Sequence, residues 1–144
     1  MHLLASYGKI TGHSPERMGF MKIHESAENY LETILVLQQR KGSVRSIDIA
    51  NELEFSKPSV SVAMKNLRLN GYIEVDGAGL IHLLPEGRAI AEAVLEKHKM
   101  MTAFLIALGV SPEVAAEDAC RIEHVLSDES FEAIKNHAAK YTTN

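Results

Sequence analysis

The sequence predicts a mainly α protein, with an N-terminal winged helix-turn-helix followed by an all-helical half. Three observations lead there. Two short amphipathic segments, residues 46–53 and 56–70, are separated by a link of only Glu54 and Phe55. Two alternating runs, residues 72–76 and 80–84, flank Gly77-Ala78-Gly79, the signature of a β-hairpin. From Pro85 onward every apolar stripe has helical spacing.

Taken in chain order, residues 1–20 show no sustained period and carry three glycines and a proline, so residues 1–21 are expected to form a disordered or weakly ordered extension. They also lack the apolar core and cleavage site of a secretory signal. From Ser26 the residues Ala27, Tyr30, Leu31, Ile34, Leu35 and Leu37 recur at three and four, an amphipathic helix that Lys41-Gly42 stops. Ser46 is the expected N-cap of a short helix with Ile47, Ala50 and Leu53 inward. Ser56 caps the next, Pro58 stands in its first turn, Val60, Met64 and Leu67 form its apolar side, and Gly71 ends it. A long helix is expected over residues 85–108, closed by Gly109. Ser111-Pro112 opens another, expected to reach Leu126, and Ser127-Asp128-Glu129 opens the last. The division is then a DNA-binding-type unit over residues 22–91 and a helical unit over 92–144.

The chain of 144 residues is 46% hydrophobic and 24% charged, the composition of a globular protein rather than a disordered one. Its longest apolar runs, such as residues 104–108, fall far below the ~20 residues of a membrane span. One cysteine, Cys120, excludes an internal disulfide framework and indicates a reducing, cytoplasmic setting. The absence of Trp leaves little material for stacking on single strands.

The formal net charge of -4 is at first sight wrong for a nucleic-acid binder. It is unevenly spread. Residues 37–72 carry six bases and three acids, whereas residues 92–144 carry five bases and nine acids. A basic middle and an acidic end indicate two tasks in one chain. In the basic part, Arg45, Lys57, Lys65 and Arg68 are candidate phosphate contacts. Ser56, Pro58, Ser59, Ser61 and Val62, small or polar and at the start of the second helix, suit close approach to base edges of double-stranded DNA. The hairpin carries Glu74 and Asp76 and neither Lys nor Arg, which makes it a poor phosphate clamp.

The acidic part holds a second pattern. Cys120, Glu123 and His124 stand at i, i+3 and i+4, within an arc of about 100° on one helical face. Thiolate, carboxylate and imidazole together form half of a site for a divalent transition metal. His98 on the preceding helix, and Asn29 with Glu32 on the first, are positioned to complete it in a helical bundle. Each residue alone has an ordinary structural role, and the Met100-Met101 pair reads as core. Nothing resembles a nucleophile elbow, a phosphate loop or a paired-carboxylate cleft, so an enzyme is not expected.

The run Asp118-Ala119-Cys120-Arg121-Ile122-Glu123-His124-Val125-Leu126-Ser127-Asp128 resembles the metal-binding signature of the diphtheria toxin repressor family, which includes the manganese transport regulators. Ser26-Ala27-Glu28-Asn29-Tyr30-Leu31-Glu32 resembles that family's first-helix motif, residues 45–72 its helix-turn-helix, and Glu96-Lys97-His98 the start of its metal-contacting linker. The resemblance covers residues 24–141 and stops before the SH3-like third domain of the longer iron-type members. It implies a homodimeric repressor of metal-homeostasis genes, with a helical dimerisation domain, no small-molecule substrate, and Mn(II) or Fe(II) as activator, Co(II) or Zn(II) being accepted in vitro. It implies ligation by Glu32, His98, Cys120, Glu123 and His124. Asn29 stands where iron-type members have Met and manganese-type members Asp, while Cys120 matches the iron side and Glu32 the manganese side. Thr102 and Ala116 stand near where an ancillary site would need ligands, so either one metal or a compact two-metal cluster is expected. The alternative is a winged-helix regulator that no metal gates.

Overall fold

The computed structural model describes residues 15–141, with side chains over 25–140. Eight elements follow one another: α1 (Pro15–Lys41), α2 (Ser46–Leu53), α3 (Lys57–Leu69), β1 (Ile73–Val75), β2 (Ile81–Leu83), α4 (Pro85–Ala107), α5 (Pro112–Ile122) and α6 (Asp128–Tyr141).

Helix α1 buries the predicted stripe of Tyr30, Leu31, Ile34, Leu35 and Leu37. Arg40 and Lys41 oppose the dipole in its last turn, and Gly42 closes it at φ +88° by donating to the Gln38 carbonyl. It begins at Pro15 rather than Ser26, so residues 15–21 are helix and not extension. Proline suits a first helical position, and Glu16, Arg17, Met18, Met21 and Lys22 are good helix formers. They carry no apolar stripe, which is why periodicity missed them. The expectation for residues 1–14 lies outside the described residues.

The N-cap of α2 is Arg45, one residue earlier than expected, because Asp48 at the third helical position accepts from the Arg45 N–H at 2.8 Å. The helix turns Ile49 and Ala50 inward and leaves Ile47, expected inside, 39% exposed. Ser56 caps α3 as predicted, its Oγ accepting from the Ser59 N–H, with Val60, Met64 and Leu67 buried. Gly71 at φ +77° ends the segment.

β1 and β2 pair antiparallel, Ile73 with Leu83 and Val75 with Ile81. Asp76 organises the turn: its Oδ1 accepts from Ala78 and Leu80 N–H, and its Oδ2 lies 2.9 Å from His82 Nε2. His82 first, then these amides, holds the Asp76 carboxyl below the usual range. The wing is fastened to the body by Ile81 N–H on the Val44 carbonyl at 2.8 Å and by Gln38 Nε2 on the Ile81 carbonyl.

Helix α4 leaves the wing through Gly87, whose backbone lies so close that a Cβ there would stand 2.1 Å from the Tyr72 carbonyl oxygen. It packs against α1 on one side and α5 on the other. Ala115 and Ala119, both fully buried, let α5 approach closely, and Met101 is core as expected. α5 stops at Ile122 instead of continuing to Leu126. Glu123 keeps helical dihedrals as the C-cap, while His124 and Val125 form a turn closed by Leu126 N–H on the Ile122 carbonyl. The main core joins α1, α2, α3, the wing and the first half of α4.

Candidate metal centre

Three helices deliver the donors. α1 supplies Glu32, α4 supplies His98, and α5 with its following turn supplies Cys120, Glu123 and His124. They form two triads, His98–Cys120–Glu123 and Glu32–Glu123–His124, each with its donor atoms within 4.8 Å of one another. Glu123 belongs to both. His98 Nδ1 lies 2.8 Å from Glu123 Oε2 and 3.7 Å from Cys120 Sγ, and His124 Nε2 lies 3.3 Å from Glu123 Oε1.

The centre is electrostatically uncomfortable without a cation. Glu123 is 2% exposed, and Glu32 is also buried. No aligned donor reaches Oε2 of either: His98 Nδ1 lies 2.8 Å from Glu123 Oε2 but out of hydrogen-bond alignment, and the only relief open to the two carboxyls is to share one proton. Burial first, then the adjoining Glu32 carboxyl and the charge of Glu28, pushes the Glu123 carboxyl up to about 10. Cys120 is exposed, but partial desolvation and the charges of Glu123, Glu32 and Glu117 still raise its thiol. Acidic clusters are common without a metal, but orphaned buried carboxylate oxygens are not. Two of them beside imidazole and thiol donors fit a divalent transition ion.

Asn29 is half-buried on α1, its carbonyl accepting from Thr33 Oγ1 at 2.8 Å, and both triads form without it. A residue the sequence reasoning passed over stands beside it. Glu28 Oε2 lies 3.1 Å from His124 Nδ1. Its one sequence signal was an i, i+4 relation to Glu32.

Ser56, Lys57, Pro58, Ser59, Ser61, Val62, Lys65 and Arg68 are all exposed on α3 and its cap, as the sequence pattern placed them. Lys57 and Ser61 line a shallow groove with Ser46 and Ile47. Arg45 has another attachment: its guanidinium donates to the Ala78 carbonyl at the wing tip, tying the wing to the start of α2.

A winged helix-turn-helix whose bracing helix shares a donor cluster with a helical second unit defines a class, and comparison with known proteins identifies the family. Residues 22–79 match the N-terminal DNA binding domain of the iron dependent repressors, and residues 84–144 match their metal binding and dimerisation domain. The chain is 34% identical over 128 residues to the transcriptional regulator MntR of Escherichia coli O157:H7, covering 85% of this chain and 83% of that one. It is 35% identical over 106 residues to the diphtheria toxin repressor of Corynebacterium efficiens, covering 73% of this chain and 46% of that one. Among solved structures, the manganese regulator SloR superposes with a TM-score of 0.70 at 27% identity, over 78% of this chain. The metal-dependent transcriptional regulator MtsR superposes with a TM-score of 0.73 at 25% identity, also over 78%. The chain spans about half the length of both, 53% in each case. It belongs to the diphtheria toxin repressor and MntR family. No helix among the described residues is long and apolar enough to cross a membrane.

Proposed function

We propose that this chain is a metal-dependent transcriptional repressor that binds operator DNA in the cytoplasm as a homodimer, activated by Mn(II) or Fe(II), and has no catalytic role. The observation that carries it is the pair of orphaned buried oxygens, Glu32 Oε2 and Glu123 Oε2, where three helices converge. Glu32, His98, Cys120, Glu123 and His124 would hold the ion, with Asn29 near the remaining corner. Once bound, a divalent ion supplies the positive charge that this acidic centre lacks. The relatives named for manganese and for iron keep both metals in the reading.

The chain's own residues divide the work. Cys120 and Glu123 give up their protons on loading, so affinity falls as pH drops. Glu32 draws α1 toward the α5 turn, and through α1 sets how the reading head sits on the helical unit. Lys57, Lys65 and Arg68 meet phosphates, while Ser56, Pro58, Ser59, Ser61 and Val62 approach base edges. Arg45 meets phosphate as well, from a guanidinium that also holds the wing tip. The exposed Ile106, Leu108, Val114 and Val125 offer apolar surface for a second copy.

The test is anaerobic titration of the chelator-treated protein with Mn(II), Fe(II), Co(II) and Zn(II), read as affinity for a duplex selected from a randomised library. Tightening on metal addition, lost in Glu123→Ala, is expected. Equal affinity with and without every metal would instead establish a winged-helix regulator that no metal gates.

A further inference from the structure

We propose that Glu28 is a positioning residue for the metal centre, the outer carboxylate that fixes the ring orientation and tautomer of His124 so that Nε2 is its donor atom. This rests on the metal reading above and adds a residue and a specific nitrogen to it.

His124 needs an external orienter. It lies beyond the end of α5, in a turn, so no helical ladder holds its backbone on both sides. The far end of that turn is held from α4, where Lys97 Nζ donates to the Leu126 carbonyl at 3.3 Å and pairs with Asp128 at 2.9 Å. The ring itself is held from α1. Glu28, one turn before Glu32 and on the same helical face, places Oε2 3.1 Å from His124 Nδ1, across 96 residues of sequence. Both side chains are largely buried, at 15% and 13% exposure.

A carboxylate accepts and cannot donate, so the Nδ1 facing it carries the hydrogen. In the neutral ring Nε2 then carries the lone pair; it lies 3.3 Å from Glu123 Oε1, a longer contact that, unlike the one to Glu28, is not aligned as a hydrogen bond. His98 is arranged the other way, presenting Nδ1 to Glu123 and Cys120. The two imidazoles thus enter the centre through opposite nitrogens, and only His124 has a carboxylate behind it among the contacts described. Such carboxylate–imidazole pairs are a general means of orienting a metal ligand and raising its basicity. Asn29, a neutral amide one residue on, does not make this contact; Glu28 does.

The experiment combines ring ¹⁵N NMR of His124 with Zn(II) competition against a chromophoric chelator, on the full chain at pH 8. In the metal-free wild type, Nδ1 is expected to be protonated; in the Zn(II) form, Nε2 should be bound to metal. Glu28→Ala should shift the metal-free ring toward the other tautomer and weaken Zn(II) binding by roughly 10–100-fold. Glu28→Gln, whose amide oxygen still accepts from Nδ1, should keep the tautomer and restore most of the affinity. A tautomer unmoved by Glu28→Ala, metal on Nδ1 of His124, or equal losses in the Gln and Ala variants would each overturn the proposal. Wild type that binds no Zn(II) would defeat the metal reading, and the metal-free ring spectra would still decide what Glu28 does to His124.

Discussion

Replacing Glu123 with Gln separates what this carboxyl costs the empty protein from what it gives the loaded one. The side chain is 2% exposed and its Oε2 lacks a partner. Burial and its acidic neighbours raise its pKa to about 10, from an ordinary value of 4.5. Between those values the folded chain keeps a proton that the unfolded chain has released. Each pH unit in that window therefore costs folding at most about 1.4 kcal/mol, and the loss at pH 7 has an upper limit of roughly 3 kcal/mol. The sign is fixed: with the folded carboxyl raised, the contribution of Glu123 to stability is greatest below 4.5 and declines as pH rises toward 10. Gln is neutral throughout and carries no such penalty. In urea unfolding of chelator-treated protein, Glu123→Gln should gain on wild type by less than about 1 kcal/mol at pH 5, growing to at most about 3 kcal/mol at pH 7. With saturating Zn(II) the order should reverse, because only wild type offers the shared carboxylate and gains the linkage stabilisation of a bound ligand. A wild-type-to-variant difference that stays constant or shrinks with pH would refute the reasoning.

Other perturbations test the remaining parts. Gly87→Ala drives a Cβ to 2.1 Å from the Tyr72 carbonyl oxygen, an atom that also accepts from the Leu84 N–H. Backbone faces backbone there, so urea unfolding should show a loss of about 3 kcal/mol. Lys65→Ala should weaken binding to all duplexes alike and lower the slope of log K against log salt by about 1, measured by fluorescence anisotropy. Val62 is 60% exposed amid polar neighbours on the face of α3 assigned to DNA. If it meets a thymine methyl, replacing thymidine by deoxyuridine in a selected duplex should cost wild type roughly 0.5–1 kcal/mol, and Val62→Ala should erase that difference.

The parts of the fold that were legible are those with punctuation. Ser56 and Pro58 opened α3, Gly71 closed it, and the Gly77-Ala78-Gly79 tract marked the hairpin. Where punctuation was missing, boundaries slipped. No Gly or Pro stands between Pro112 and Ser127, so the helical period was carried on to Leu126 although α5 ends at Ile122. The spacing of Cys120, Glu123 and His124 was visible, but not that His124 leaves the helix and turns toward α1. Glu28 was hidden because its partner lies 96 residues away, a relation that no local pattern contains. The charge of Arg45 was legible, but not that its guanidinium also reaches the Ala78 carbonyl at the wing tip.

In the proposed repressor, helix α1 is the element placed to couple the two units, because its residues are shared between them. Leu31, Ile34, Leu35 and Leu37 are sealed into the core that supports α2, α3 and the wing. Glu28 and Glu32, on the same rigid rod, face the turn after α5. A displacement at Glu32 is therefore a displacement of the reading head's own core, and no chain of intermediate side chains is required. Metal can favour DNA binding only by preferring one setting of that rod, and each 1.4 kcal/mol of preference is worth a factor of ten in DNA affinity. The linkage is reciprocal. If DNA tightens tenfold on metal loading, the metal must tighten tenfold on the DNA complex.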